Sequence, residues 1–422
     1  MSDGRLRSLA IISMHTSPLA PLGGYKTGGM NVYVRELARE LGRRGILVDI
    51  FTRRESESQA AIDDSIGEHV HVVHISAGGL GVVDPNTLIS HTQEFAGGIH
   101  KYATRYNRGY DAIYAHYWLS GKAAEVLRRS WNIPLVQMFH TLGAMKNRIA
   151  YQPMIDPRVI GEMEIIRTAD RLIAATQAEY AQLLWLYRAD RRKVSIVPPG
   201  VDAGRFAPLP KKQARDAVGL RDGERMLLFV GRLEPLKAVD TIVAAVGMIH
   251  ALEAELLHGV RFTIVGGSAT DPERRKLIAM GEQLGVSAYL DFVGSRDHTQ
   301  LPYYYSAAEA LLMPSDYESF GMVALEAMTS GTPVIASGVG GLQYLVREGE
   351  TGFLIPVRDA EALAQRVRDL LHAPSERDRM GANAAELARK YDWPIIADRL
   401  IAVLADAMLL RRQQANSGNP GG

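Results

Sequence analysis

Glu318 and Glu326 stand with seven residues between them in the stretch Met313-Pro314-Ser315-Asp316-Tyr317-Glu318-Ser319-Phe320-Gly321-Met322-Val323-Ala324-Leu325-Glu326-Ala327. The run Ala308 to Leu312 ahead of it reads as a buried strand, and Met322 to Met328 reads as a helix entered through Ser319 and Gly321. Strand, polar loop and helix start make an anion site. Unpaired amides at a helix N-terminus carry roughly half a positive charge, so a phosphate fits beside Ser319, Phe320, Gly321, Met322 and Val323. Glu318 falls in the loop and Glu326 about two turns into the helix. Each can accept hydroxyl protons from a polyol while the amides hold the phosphate.

A second set of charges follows another apolar run. Met226 to Val230 reads as a strand and leads into Gly231-Arg232-Leu233-Glu234-Pro235-Leu236-Lys237, so that Arg232 and Lys237 project from one strand end with room for a diphosphate between them. Nearer the start, strand Leu9 to Ser13 gives way to a loop rich in proline and glycine. Met30, Val34, Leu37, Ala38 and Leu41 then recur at helical spacing, Gly45 stops that helix, and Val48 to Thr52 reads as the next strand. Gly28-Gly29-Met30-Asn31 opens the helix, where glycines let backbone approach a ligand. No G-x-G-x-x-G is present and the first loop is long, which argues against an NAD oxidoreductase. Two more strands, Tyr110 to Ala115 and Pro134 to Phe139, end at His116-Tyr117 and His140-Thr141. Ligands of open α/β sheets gather at such carboxyl ends.

The elements that must hold these groups need two cores. A chain of 422 residues suits two domains of about 200 residues each. Lysine plus arginine number 48 against 47 acids, a net charge of +1, which leaves no global field to recruit nucleic acid or an anionic membrane. The absence of cysteine excludes disulfides, thiolate metal sites and a cysteine nucleophile, and fits a reducing, cytoplasmic setting. Met1 to Met14 reads as a first strand and not a signal peptide. Ile395 to Leu410 carries Asp398, Arg399 and Asp406, against a membrane span. His69, His71 and His74 could suggest a metal cluster, but the alternation in His69-Val70-His71-Val72-Val73 reads as a strand with a wet face, with no carboxylate at ligand spacing. Tyr180 to Arg192 is the one stretch with a basic, apolar face for a membrane surface, and a buried core helix is the expected reading. Prolines 198, 199, 208 and 210 mark the domain boundary.

The stretch Pro314 to Glu326 resembles the signature of the retaining nucleotide-sugar glycosyltransferases of the GT-B fold, and Gly28 to Leu41 resembles the opening of the D-inositol-3-phosphate glycosyltransferases of mycothiol biosynthesis, with sucrose-phosphate synthases further off. Gly331 to Ile335, Gly340-Gly341-Leu342 and Gly349 to Leu354 match the family again. The resemblance implies an α/β chain with two Rossmann-like domains facing a central cleft and a C-terminal helix crossing back to the first domain. It places residues 1–200 and 394–412 in an acceptor-binding domain, 201–393 in a donor-binding domain, and leaves 413–422 as a disordered tail.

The same resemblance assigns roles. Glu318 holds hydroxyls of the donor sugar and Glu326 the ribose; Arg232 and Lys237 neutralise the donor phosphates, with the amides from Ser319 to Val323. Gly28 and Gly29 lie against the diphosphate and Val293 meets the base through backbone. His140 touches the donor sugar near the reacting centre. Asn31, Tyr117, Thr141 and Arg158 bind the acceptor, the last three its phosphate. The reaction implied is retaining transfer of a hexosyl or N-acetylhexosaminyl group from a nucleoside diphosphate sugar, a UDP-sugar first, to a phosphorylated polyol such as inositol 3-phosphate. No cofactor or metal is called for, because Arg232 and Lys237 already supply the positive charge. Small molecules are the expected partners, with a homodimer suggested by relatives. One departure stands out: inositol-phosphate-using relatives carry a lysine where this chain has Asp84-Pro85-Asn86-Thr87, ahead of a long helix expected near Pro85. The loss removes a contact of about 1.5–3 kcal/mol unless Lys146, Arg158 or Arg167 replaces it. It keeps open a sucrose-phosphate-synthase-like transfer of glucose to fructose 6-phosphate, and, from another class, a nucleotide-sugar sensor without turnover.

Overall fold

The computed structural model describes residues 5–20, 28–81, 83–84, 87–149, 152 and 156–417. The chain forms two α/β units that divide at Pro198/Pro199 and again at Asp392/Trp393, so the final helix belongs to the first unit.

The first unit is built on β1 (Ser8–Ile12), β2 (Leu47–Arg53), β3 (Ile62–Gly67), β4 (Val70–Ile75), β5 (Ala112–His116), β6 (Leu135–Met138), β7 (Arg171–Ala174) and β8 (Val194–Ile196), in the order β3-β4-β2-β1-β5-β6-β7-β8. Only β3 runs antiparallel, against β4, at one edge. The central strand β1 is apolar from Leu9 to Ile12 because helices cover both faces of the sheet: Leu9, Ile11 and Ile12 are fully buried. The second unit carries β9 (Arg225–Val230), β10 (Val260–Val265), β11 (Leu290–Gly294), β12 (Ala310–Met313), β13 (Val334–Ser337) and β14 (Gly352–Ile355), all parallel, in the order β11-β10-β9-β12-β13-β14.

Each order reverses in mid-sheet. The reversal falls between β1 and β5 in the first sheet and between β9 and β12 in the second. Connections leave in opposite directions there, which opens a crevice at the strands' carboxyl ends. His116 ends β5 and Tyr117 follows it, Arg232 and Lys237 follow β9, and Glu318 follows β12.

Several expectations shift. The helix expected near Pro85 begins at Thr92, after a 3-10 turn Leu88–His91, and residues 85 and 86 lie outside the described residues. The last helix runs Trp393–Ser417, past the tail expected from residue 413: Arg411, Arg412, Gln413 and Gln414 are good helix formers, and Arg411 donates to Asn132 Oδ1 at 2.9 Å. His69 sits in a left-handed turn (φ 61) and not in the strand, and His74 is buried, so of the three histidines only His71 keeps the wet face of β4. The helix Gln177–Tyr187 buries Glu179, Leu183 and Tyr187 at four-residue spacing and turns Trp185 outward, 83% exposed, so it is a half-buried helix and not a core one.

Candidate active site

In the second unit, the loop after β12 is gripped from two sides. Gly340 (φ 48) packs so closely that a Cβ there would lie 1.7 Å from the Glu318 carbonyl oxygen, and Gly341 N–H donates to that oxygen at 3.1 Å. Only glycine fits this approach. Gly321 (φ 102) then turns the chain into the helix Met322–Thr329, a left-handed entry that leaves the first amides turned toward the loop. Glu326 is the fifth residue of that helix, a little over one turn in and not two, because the helix starts only at Met322.

Two of the sequence-read donor groups meet here. Lys237 Nζ donates to Glu318 Oε2 at 2.6 Å, and the Asp316 amide donates to Leu236 O at 2.9 Å, so the loops after β9 and β12 are joined by side chain and backbone. Arg232 lies on the same β9 loop, half exposed and paired with Glu234 at 2.5 Å. Asp316 is held by Arg358, which contacts its carboxylate at 2.6 and 2.5 Å and reaches Asp240 at 2.6 Å and Pro235 O at 2.9 Å. Arg358 therefore staples both loops to the helix Val239–Glu253. Among the described residues no cluster of three metal-ligating side chains occurs.

Val293 lies on edge strand β11, where the register steps from Ile264↔Phe292 to Val265↔Gly294 and skips it. It is a bulge residue, a position often found beside sites. Glu326 is buried and doubly held, by Tyr305 Oη at 2.8 Å and His298 Nε2 at 3.0 Å.

The first unit assembles its own cluster. Arg158 Nη2 donates to Thr141 O at 2.5 Å and Thr141 Oγ1 at 3.0 Å, and its guanidinium lies 4.8 Å from the Tyr117 ring centroid. The three residues expected at an acceptor phosphate thus form one group, at the carboxyl ends of β5 and β6. What orients Arg158 was not read from the sequence. Its Nε donates to Glu162 Oε1 at 2.8 Å, while Gly143 N–H (3.1 and 3.0 Å) and the Tyr187 hydroxyl also donate to that fully buried carboxylate. Burial pushes the Glu162 pKa up, against the pull of Arg158, Tyr187 and Gly143. The four-residue spacing of Arg158 and Glu162 on one helix was the available signal.

His140, in a left-handed conformation (φ 62), meets the fully buried His116 through Nε2···Nδ1 at 3.0 Å. Burial, and then the nearby His15, lowers the His140 pKa from 6.5 to about 3, and burial drives His116 well below its usual value. His140 is held as a neutral imidazole. Tyr33 stacks edge-on against both rings, at 5.2 and 5.5 Å, and against Trp393 of the last helix at 5.6 Å.

Asn31, which the resemblance turns toward the acceptor, uses both amide N–H groups inside the protein, on Thr16 Oγ1 and Ser17 O at 2.6 Å each, and accepts from Gly28 N–H at 3.1 Å. Its visible work is to tie the loop after β1 to the helix Gly29–Arg43. Gly28 is extended (φ 179), and a Cβ there would meet nothing within 4 Å. The protein itself does not demand glycine at this position. Gly29 is the first helical residue and is exposed. Of the cations weighed as substitutes for the missing lysine, Arg158 is at the cluster, Lys146 lies exposed on the helix Gly143–Ile149, and Arg167 sits at the far end of the helix Pro157–Thr168.

Two doubly wound sheets, each with its charged loops at the reversal of strand order, make a GT-B glycosyltransferase. The comparisons agree. Residues 210–387 match the family described as glycosyl transferases group 1, and residues 27–205 match glycosyltransferase family 4. The D-inositol 3-phosphate glycosyltransferase of Actinosynnema mirum is 38% identical over 415 residues, 97% of this chain and 99% of that protein. The D-inositol 3-phosphate glycosyltransferase 2 of Catenulispora acidiphila is 39% identical over 398 residues, 93% of each. The structure of sucrose-phosphate synthase from Thermosynechococcus elongatus superposes with a TM-score of 0.85 at 33% identity, covering 97% of this chain and 100% of that one. The chain belongs to the group 1 glycosyl transferases, and it is a transferase enzyme. Among the described residues no helix is long and apolar enough to cross a membrane.

Proposed function

We propose that the enzyme moves a hexosyl or N-acetylhexosaminyl group, with retention of configuration and without a metal, from a UDP-sugar to a small phosphorylated polyol, inositol 3-phosphate first. The observation that carries this reading is the Arg158–Thr141–Tyr117 group, a cation seated on a hydroxyl and an aromatic face at two strand ends, in a chain 38% identical to enzymes named for inositol 3-phosphate.

In this reading the acceptor oxygen bonds to the anomeric carbon as the bond from that carbon to the leaving phosphate breaks. The acceptor's hydroxyl proton passes to the departing phosphate oxygen on the same face. Charge grows on the phosphate, and Arg232, Lys237 and the amides near Ser319 to Val323 meet it. Glu318 takes hydroxyls of the donor sugar, Glu326 the ribose, Gly28 and Gly29 leave room for the diphosphate, Val293 meets the base, and neutral His140 donates or accepts a hydrogen bond at the sugar. Metal independence is supported by chemistry at Asp316-Tyr317-Glu318, where Asp316 is neutralised by Arg358 and Glu318 by Lys237.

A second reading, glucose transfer to fructose 6-phosphate, is favoured by the loop Asp84-Pro85-Asn86-Thr87 standing where inositol-phosphate-using relatives carry a lysine and by the likeness to sucrose-phosphate synthase. Nucleotide release from UDP-, ADP- and GDP-sugars, each offered inositol 3-phosphate, fructose 6-phosphate or no acceptor, separates the two. Release with inositol 3-phosphate alone supports the first and rejects the second; release with fructose 6-phosphate alone does the reverse. Loss of release on chelation, restored by Mg²⁺, overturns metal independence.

A further inference from the structure

Glu326 is held by more than its own helix. Its Oε2 accepts from the Tyr305 hydroxyl at 2.8 Å, and its Oε1 lies 3.0 Å from His298 Nε2. Across the imidazole, His298 Nδ1 lies 3.1 Å from Arg205 Nη1. A guanidinium has only donors, so Nδ1 accepts and the ring proton stays on Nε2. Every bond in the series then has one direction: Arg205 donates to His298, His298 to Glu326, and Tyr305 to Glu326. Tyr305 is fully buried, His298 and Glu326 nearly so, and the Phe206 ring seals the group at 5.2 Å from His298 and 5.9 Å from Tyr305. Burial, and then Glu326, raises the Tyr305 pKa well above its usual value, which keeps its hydroxyl a donor.

We propose that Arg205 and His298 are positioning residues for the donor: they lock the Glu326 carboxylate so that its remaining lone pairs face the vicinal hydroxyls of the nucleotide ribose. The inference rests on the reading of Glu326 as the ribose acceptor given above. A carboxylate offers about four lone-pair sites. Two are taken inside the protein, and two are left, as a vicinal diol requires. Released from His298, the group turns about its terminal bond and the pair of sites is no longer aligned.

The lock starts where the chain enters the second unit. Arg205 N–H donates to Asp202 Oδ1 at 2.8 Å, Ala203 N–H to Asp392 Oδ1 at 3.2 Å, and Val201 N–H to Tyr391 O at 2.9 Å. The entering and leaving segments of this unit are thereby tied side by side, and the same tie delivers Arg205 to His298. No periodicity or motif in the sequence links residues 205, 298 and 326.

The test is calorimetric binding of UDP and 2′,3′-dideoxy-UDP to the full chain, unaltered and as His298→Phe, His298→Gln, Arg205→Met and Glu326→Gln. The unaltered enzyme is expected to prefer UDP by about tenfold or more, the worth of a charge-assisted pair. That preference collapses in His298→Phe and falls at least about threefold in Arg205→Met. It survives in His298→Gln, whose amide can still donate to Glu326 and accept from Arg205. Affinity for dideoxy-UDP stays level throughout, which a general loss of structure would not allow; should His298→Phe fail to fold, Arg205→Met and His298→Gln decide. A preference kept in His298→Phe and Arg205→Met but lost in Glu326→Gln overturns the positioning role alone. No preference in the unaltered enzyme overturns the ribose reading and this inference with it.

Discussion

Lys237 and Glu318 share a hydrogen bond of 2.6 Å, so the cation proposed for the donor phosphate and the carboxylate proposed for the donor sugar hold each other in place. An ammonium has three donors, which leaves Lys237 two for phosphate oxygens while it still holds Glu318. Changing Lys237→Met should therefore remove phosphate stabilisation and also free Glu318. Steady-state kinetics are expected to show kcat/KM down by about a hundredfold or more, roughly 3 kcal/mol. The double change Lys237→Met with Glu318→Gln should cost less than the sum of the two single changes. Strict additivity would mean that the pair is incidental.

Gly340 offers a test of the loop apart from its charges. Gly340→Ala places a methyl group against the Glu318 carbonyl in a backbone region that side chains avoid. Thermal unfolding should show a loss of about 1–3 kcal/mol, and donor affinity should fall with it because Glu318 is displaced. Gly97→Ala is the matched control: it lies in the helix Thr92–Arg105 with nothing within 4 Å of an added Cβ. That change should stabilise by about 0.5–1 kcal/mol and leave kinetics alone.

At the acceptor group the prediction concerns KM. Arg158→Met should raise the KM for the phosphorylated acceptor by about tenfold to a hundredfold, with donor KM unchanged. Glu162→Gln should act in the same direction and more weakly, since it loosens Arg158 without removing it. Equal effects on donor and acceptor KM would place Arg158 elsewhere in the reaction.

The pH dependence of stability follows from His140. With its pKa lowered from 6.5 to about 3, the folded chain binds fewer protons at this ring than the unfolded chain between those values. Its contribution to stability therefore rises with pH across that window, by at most about 1.4 kcal/mol per unit, and is level above 6.5. Buried Glu179 acts the other way, because burial raises its pKa from 4.5 to about 7 and the folded chain holds its proton longer. The two slopes offset in the total. Denaturant titrations of the unaltered enzyme and His140→Gln, taken as a difference, isolate the histidine: the difference should climb toward pH 6.5 and then flatten, and a flat difference throughout contradicts the neutral-ring account.

Much of this was legible before the structure. Apolar runs located the strands that lead into the charged or polar loops, β5, β6, β9 and β12, and the β9 and β12 loops were readable because charge follows a buried strand directly, as in Val230-Gly231-Arg232 and Met313-Pro314-Ser315-Asp316. Placement on an element was readable; the partner of a side chain was not. His116 was visible at a strand end, yet its bond to His140 depends on two strands lying side by side. Arg358 gave no signal, being far in sequence from Asp240 and Asp316. Trp185 was misplaced because the stretch around it is apolar on nearly every side, so its composition could not say which face turns to the core.

The helix Trp393–Ser417 bears on how the protein is made. Tyr33, packed on both His116 and His140, also meets the Trp393 ring edge-on at 5.6 Å; Arg44 reaches Asp398, and Arg171 donates to Asp406 at 2.7 Å. During synthesis the first unit leaves the ribosome without these partners and waits while the whole second unit is added. The half that is translated first is completed last, and a nascent chain that stops at Asp392 lacks the Trp393 ring that packs on Tyr33.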